Sequence, residues 1–306
     1  MKYSILNLTR CHLCPRHCGA DRTSGQLGYC KSGVKPLVSS VCIHHGEEPA
    51  ISGEKGICNV FFAHCNLRCV YCQNYQISRN DGAITGYEYD TERLVWEILS
   101  ITEKAKTNML GFVSPTHFSP QMVEVIKKLH IQGYAPTVVY NTNGYETPEI
   151  LEYIADYVDV YLPDFKYSDN TLASRFSDVA DYVEKTLEAL KIMYQQKGAE
   201  LTLDNHGLAR KGMIIRHLVL PGQIENSKGV LQAIADIDPN IHISLMSQYY
   251  PPCELSIPEL NRPLHNDEYE AIIQEMETLG MENGWIQAPE SSENYRPDFH
   301  KEEPFG

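Results

Sequence analysis

The sequence predicts an α/β fold, a partial (β/α)6 TIM-like barrel preceded by a Cys-rich metal-binding segment. Three observations predict it. Six short apolar runs suit buried parallel strands, the stretches between them carry helical patterns, and nine of the ten cysteines lie ahead of or just after the first run. Strands alternating with helices imply a parallel sheet.

Taken in order, residues 1–55 are rich in Cys, Gly, His and Pro and show little sustained apolar periodicity. They read as loop and short strand organised by something other than a hydrophobic core. The barrel is expected over residues 56–255. Its first strand is Val60-Phe61-Phe62-Ala63. A helix over 91–104 sets Leu94, Val95, Ile98, Leu99 and Ile101 on one side. The second strand covers 109–113, and Ser119-Pro120-Gln121 opens a segment whose Val123, Ile126 and Leu129 recur at helical spacing. The third strand covers 137–140, after which Thr147-Pro148-Glu149 supplies a cap and a proline at the first helical position. The fourth strand is 158–162, the fifth 213–220 and the sixth 241–246, with helices over 182–195 and 227–237. Residues 256–306 form a C-terminal extension with a helix over 266–279. In β/α barrels the loops after the C-terminal ends of the strands carry the chemistry.

Composition excludes several classes of function. The 306 residues are 42% hydrophobic and carry 40 acidic against 26 basic side chains, a formal net charge of −14. That length buries a full core without covalent staples. A pI near 5.3 argues against a nucleic-acid partner, which needs a surplus of lysine and arginine on some face. No run of 18 apolar residues exists, so no membrane span is expected, and Met1 to Arg10 lacks the regions of a signal peptide. The expectation is a cytoplasmic protein whose closely spaced cysteines are metal ligands or catalytic thiols and not disulfides.

Immediately after the first strand comes His64-Cys65-Asn66-Leu67-Arg68-Cys69-Val70-Tyr71-Cys72. Three thiolates on one short loop suit a [4Fe-4S] cluster, which has four irons and takes four cysteines when fully ligated. One iron is then left open for the amino and carboxylate groups of S-adenosylmethionine, and an electron passed to the sulfonium would release a 5′-deoxyadenosyl radical. The competing reading is a structural zinc completed by His64 or Cys58. The strand before the triplet and the β/α series after it favour the cluster. A thioredoxin-like role for Cys69 and Cys72 ignores Cys65 and lacks its fold context.

These residues resemble the radical S-adenosylmethionine superfamily, and the surrounding text is similar to homologues of pyruvate formate-lyase activating enzyme. The phrases that carry the resemblance are Cys11 to Gly19 (CHLCPRHCG), His45 to Pro49 (HGEEP), Cys65 to Ser78 (CNLRCVYCQNYQIS), Tyr140 to Tyr145 (YNTNGY), Tyr161 to Tyr167 (YLPDFKY) and Arg216 to Gly222 (RHLVLPG). The resemblance implies that Tyr71 lies beside the adenine. It puts Ser114 or Thr116 opposite the methionine ammonium, where the family usually has glycines that are missing here. It makes Asn143 a polar contact near cofactor or substrate, Asp164 and Lys166 partners for a ribose hydroxyl and a carboxylate, and Arg216 a fork for the methionine carboxylate. Asp164 and Lys166 are equally suited to pairing with each other. Arg216 within an apolar strand needs a partner of some kind. The resemblance also implies an electron donor such as flavodoxin or ferredoxin, and a substrate that is either a glycine of a glycyl-radical enzyme or a small molecule or peptide. A non-catalytic iron-sulfur or zinc protein would need no cofactor contacts beyond the cysteines.

Cys11, Cys14, Cys18 and Cys30 make a second, four-thiolate set, with glycines at 19, 25, 28 and 33 that allow close wrapping. Four thiolates close the shell of one zinc or hold an auxiliary [4Fe-4S] cluster, and ligand chemistry fits both. Cys42, Cys58 and Cys253 have no assigned role.

Overall fold

The computed structural model describes all residues except 1–5, 81, 83, 289–290, 292–295, 302 and 306. Its central sheet runs through β1 (Leu37–His44), β2 (Ile57–Phe62), β3 (Tyr87–Glu88), β4 (Met109–Val113), β5 (Thr137–Thr142), β6 (Val160–Pro163), β8 (Ala209–Leu218), β9 (His242–Met246) and β10 (Gly284–Ile286), with β7 (Thr202–Leu203) paired to β8. The spatial order is β10-β9-β8-β6-β5-β4-β2-β1-β3. From β2 to β10 every neighbouring pair on this path is parallel, whereas β1 runs antiparallel to β2 and β3 antiparallel to β1. The result is a curved, open barrel. All six predicted strands are present, each followed by the helical connection that a parallel pairing requires.

The helices follow their local signals. In α3 (Thr91–Ala105) the Asp90 side chain accepts from Arg93 N at 2.7 Å, and Leu94, Val95 and Ile98 face the core. Pro120 sits in the first turn of α4 (Ser119–Ile131) and Pro148 opens α5 (Pro148–Ile154). Further along lie α7 (Tyr182–Lys197), α8 (Ile224–Ala235) and α9 (Asn266–Thr278). Besides these the chain forms two single-turn helices, α1 (Pro49–Ser52) and α2 (Tyr75–Ser78), and α6 (Asn170–Ser177), capped by Asp169.

Four strands outside the six barrel strands extend the sheet, the two-residue β3 and β7 and two longer ones. Residues 37–44, in the segment read as loop and short strand, form an eight-residue strand that buries Val38 and Val41. Gly284–Ile286, in the C-terminal extension, adds a parallel strand next to β9.

Inward-facing residues alternate along each strand and stack in layers. The lowest layer is apolar: Ile57, Met109, Val139, Leu162 and Ile214 close around Ala50 and Ile51 of α1, which plugs the barrel from below. Two residues further along the strands the inward set turns polar, with Asn59, Asn141, Asp164 and Arg216. The core thus positions a charged floor beneath the loops that follow the strands.

Candidate active site

A cavity of about 520 Å³ opens above that floor, within the range of small-molecule sites. Cys65, Cys69 and Cys72 line its upper side, on the loop that leaves β2. His64 adopts a left-handed backbone (φ 69°) at the turn into this loop, and Ser114 does so (φ 52°) at the end of β4. Non-glycine residues rarely hold that conformation, and such strain concentrates at functional sites. Ser114 is fixed there by donating its N–H to Asn141 O at 2.8 Å.

Each of the three sulfurs has donors aimed at it. Asn143 Nδ2 donates to Cys65 Sγ at 3.3 Å, Ser177 Oγ to Cys69 Sγ at 3.0 Å, and Ser78 Oγ to Cys72 Sγ at 3.2 Å, while Leu67 N reaches Cys65 Sγ at 3.4 Å. Burial pushes the Cys65 thiol up to about 12 and Cys69 up to about 11, and raises Cys72 as well. The Lys166 ammonium works against burial at Cys69 and Cys72. Buried thiols with donors and a cation beside them suit thiolates that a positively charged metal keeps deprotonated. Among the described residues no three His, Cys, Asp or Glu side chains converge as the ligands of one ion do. A cubane places each thiolate on its own iron, so a loop of three cysteines fits a [4Fe-4S] cluster without such convergence.

The other expected residues fall around this cavity with one exception. Tyr71, Ser114, Asn143, Asp164, Lys166 and Arg216 line it, and Thr116 does not. The Thr116 hydroxyl donates instead to Glu146 Oε1 at 2.6 Å, away from the cavity. Tyr71 is buried, and its hydroxyl meets Tyr167 Oη at 2.7 Å. Lys166 Nζ bonds Asp164 Oδ2 at 2.7 Å, the pairing their chemistry allows. Burial alone would raise the Asp164 carboxyl, but Lys166 and Arg216 hold it below its ordinary value. All three guanidinium nitrogens of Arg216 have protein acceptors: Asp164 Oδ1 at 3.1 Å, Glu47 Oε2 at 3.0 Å and Asn141 Oδ1 at 2.6 Å. The reading of Arg216 as a fork for a methionine carboxylate did not foresee this, and Lys166, with one acceptor engaged, is the cation better placed to receive a carboxylate.

Several contributors carried no assigned role in the sequence. Glu47 ties Arg216 to Asn59, and Glu48 and His44 line the same floor. Glu47 and Glu48 lie in the His45 to Pro49 phrase that carries the resemblance, which assigned them no role. Ser78 closes the Cys65 to Ser78 phrase without a role assigned to it, and Ser177 had no signal. The C-terminal segment closes the cavity from the side, where Pro297 and Phe305 line it, Phe299 N donates to Gln76 Oε1 at 2.8 Å, and the Phe305 ring lies 4.0 Å from His44.

The N-terminal cysteines gather next to the three-cysteine loop. Cys11, Cys14 and Cys30 are buried and Cys18 is exposed. Burial raises the Cys14 thiol, and the charges of Cys30 and Cys11 raise it further, while Cys11 feels Cys18. A Cβ at Gly28 would collide with Cys18 Sγ. Arg16, between Cys14 and Cys18, donates Nε to Asn66 O at 2.9 Å and stacks 3.8 Å over Tyr29. Arg68, between Cys65 and Cys69, lies 4.3 Å over the same ring. Cys58 is fully buried, Cys42 half-buried and Cys253 exposed.

Comparison with known proteins adds a family. The model of the Radical SAM superfamily matches residues 59–226. An uncharacterized protein of Methanocaldococcus jannaschii, MJ0674, is 28% identical over 280 residues, 89% of this chain and 75% of that protein. Among solved structures, HydG, a maturase of the [FeFe]-hydrogenase, is similar with a TM-score of 0.52 at 14% identity, covering 80% of this chain and 56% of its own. This chain therefore spans little more than half the length of HydG. A domain of pyruvate-formate lyase-activating enzyme from Bacteroides vulgatus is 16% identical over 56% of this chain and 92% of that domain, with a TM-score of 0.40. Among the described residues no helix is long and apolar enough to cross a membrane.

Proposed function

The chain belongs to the radical SAM superfamily, enzymes that use a [4Fe-4S] cluster and S-adenosylmethionine, and on that premise we propose that it abstracts a hydrogen atom from a small molecule held inside the barrel. A cluster held by Cys65, Cys69 and Cys72 supplies the electron that splits S-adenosylmethionine into methionine and a 5′-deoxyadenosyl radical. The protein's part is to hold and orient. Asn143, Ser177 and Ser78 stabilise negative charge on the three sulfurs through their hydrogen bonds. Lys166 offers charge to a carboxylate at the cavity wall, and the Asp164 carboxylate beside it suits a ribose hydroxyl. Ser114, held in its left-handed turn, turns its backbone toward the same space.

The observation that carries the reading is the set of three thiols, each with its own donor, opening onto one cavity at the C-terminal end of β2. Anaerobic reconstitution, reduction and addition of S-adenosylmethionine should yield 5′-deoxyadenosine and methionine. A fully loaded cluster that yields neither overturns the reading.

The closed floor and the C-terminal side wall of the cavity support the small molecule over a glycyl-radical enzyme as substrate. α1 plugs the barrel below, and Pro297 and Phe305 stand at its side. A folded partner's loop would have to pass Pro297 and Phe305 to reach the floor. The reductant in this reading is a flavodoxin or ferredoxin.

The N-terminal set belongs to the same proposal as a second metal centre. Cys14 is close enough to feel the charges of Cys30 and Cys11, and Cys11 that of Cys18, so the four sulfurs form one set whose thiolates a bound metal would stabilise. Iron, sulfide and zinc counts identify it. About eight irons per chain mean an auxiliary cluster and about four irons with one zinc a structural ion; four irons and no zinc overturn the second centre.

A further inference from the structure

The floor of the cavity holds one carboxylate more than its cations balance. Lys166, Asp164, Arg216 and Glu47 form a row of alternating sign, joined by contacts of 2.7, 3.1 and 3.0 Å. Two cations and two anions cancel in that row. Both Glu47 oxygens are engaged, one by Arg216 Nη1 and the other by Asn59 Nδ2 at 2.9 Å. Glu48 stands outside it. Its side chain lines the cavity and the residue is only 7% exposed, yet Oε2 has no hydrogen-bond partner. Arg216 lies near enough for its charge to act on Glu48, but its hydrogen bonds run to Glu47, Asp164 and Asn141 and none reaches Glu48.

A second group points the same way. His44, 9% exposed and lining the same end of the cavity, has its Nδ1 without a partner. Burial lowers its pKa, so the ring is neutral and brings no charge to offset Glu48. Burial, with Glu47 adding to it against Arg216, raises the Glu48 carboxyl, which marks the same missing counter-charge. Ser244 and the backbone N–H of Glu48 itself bond the carboxylate, yet Oε2 stays unpaired, a cost that a bound donor would relieve.

We propose that Glu48 receives a cationic group, an ammonium or guanidinium, of the molecule on which the radical acts. This rests on the reading of the cavity as a radical site with a small-molecule substrate. The cation would dock on the floor while the rest of the molecule extends toward the cysteine loop, so that the hydrogen to be removed lies between the two ends. A carboxylate in this place also rejects anionic analogues, since Glu47 and Glu48 stand side by side.

The test measures binding and not turnover. Cluster-loaded protein with S-adenosylmethionine and no reductant is titrated with n-butylamine, a cation near neutral pH, and with n-butanol, its neutral counterpart of equal length. n-Butylamine should bind about tenfold or more tightly than n-butanol, the difference a charged hydrogen bond makes. In Glu48→Gln that preference should vanish. Equal binding of the two probes by the wild type overturns the proposal, with or without a folded variant. So does a preference that survives in Glu48→Gln, and so does a variant whose S-adenosylmethionine affinity falls, which would give the carboxylate to the cofactor. Failure to form 5′-deoxyadenosine, by contrast, would count against the radical reading and leaves this measurement intact.

Discussion

Asn143 reaches from the end of β5 to Cys65, its Nδ2 donating to both Cys65 Sγ at 3.3 Å and Asn66 Oδ1 at 2.6 Å. Its own Oδ1 accepts from Tyr145 N, which fixes the amide. One residue of the Thr-Asn-Gly turn thus orients the first cysteine of the loop. A hydrogen bond to a ligating sulfur stabilises the more electron-rich, reduced state of a cluster. Asn143→Ala is therefore expected to assemble its cluster with a more negative midpoint potential, read by a redox titration followed by electron paramagnetic resonance. An unshifted potential would separate Asn143 from the cluster.

Cys69 is the middle cysteine of the loop, and Ser177 Oγ donates to its sulfur. Replacing it leaves two thiols on the loop, too few for a stable site-differentiated cluster. Cys69→Ala is expected to stay folded, because the sulfur packs only at the edge of the core, and to lose 5′-deoxyadenosine formation entirely. Residual product from the folded variant would count against the three-cysteine assignment.

How far the sequence carries is plain at Arg216. A guanidinium inside an apolar strand declares that a counter-charge exists, and Asp164, at the end of the neighbouring strand β6, was within reach of that reasoning. Glu47, which lies 169 positions earlier and enters from the turn below β1, was not. Local pattern specifies strands because apolar runs report burial directly, as in β2, where all six residues are buried. It is silent on β1, whose mixed burial leaves only Val38, Val41 and His44 inside and gives no clean alternation. It is silent again on the serines at Cys69 and Cys72, since a hydroxyl that caps a sulfur looks like any other serine.

Arg216 also predicts stability. Removing it leaves Glu47 and Asp164 buried with one cation, Lys166, which pairs with Asp164 alone. Uncompensated buried charge costs about 3–5 kcal/mol. Arg216→Met is expected to lose about that much in urea unfolding, and the double variant Arg216→Met, Glu47→Gln to recover part of it. Equal stability of the single variant and the wild type would show that the row contributes nothing to the fold.

Glu146 gives the pH dependence. It is fully buried, Oε1 accepts from Thr116, Thr142 and Tyr140, and Oε2 has no partner. Burial pushes its carboxyl up to about 7, above an ordinary glutamate, against the pull of those three hydroxyls. The folded protein therefore binds a proton that the unfolded chain has released. The stabilisation is fully present below the unfolded value near 4.5 and is lost as pH rises through 7. The span corresponds to roughly 3 kcal/mol, to order of magnitude. Glu146→Gln, which holds the neutral shape at every pH, should be close to the wild type at pH 5 and more stable than it at pH 8. Comparing the two denaturation curves cancels the opposite trend of the buried histidines His117 and His217, whose charged forms burial disfavours. A constant difference between variant and wild type across that range would mean that Glu146 does not titrate in the folded state.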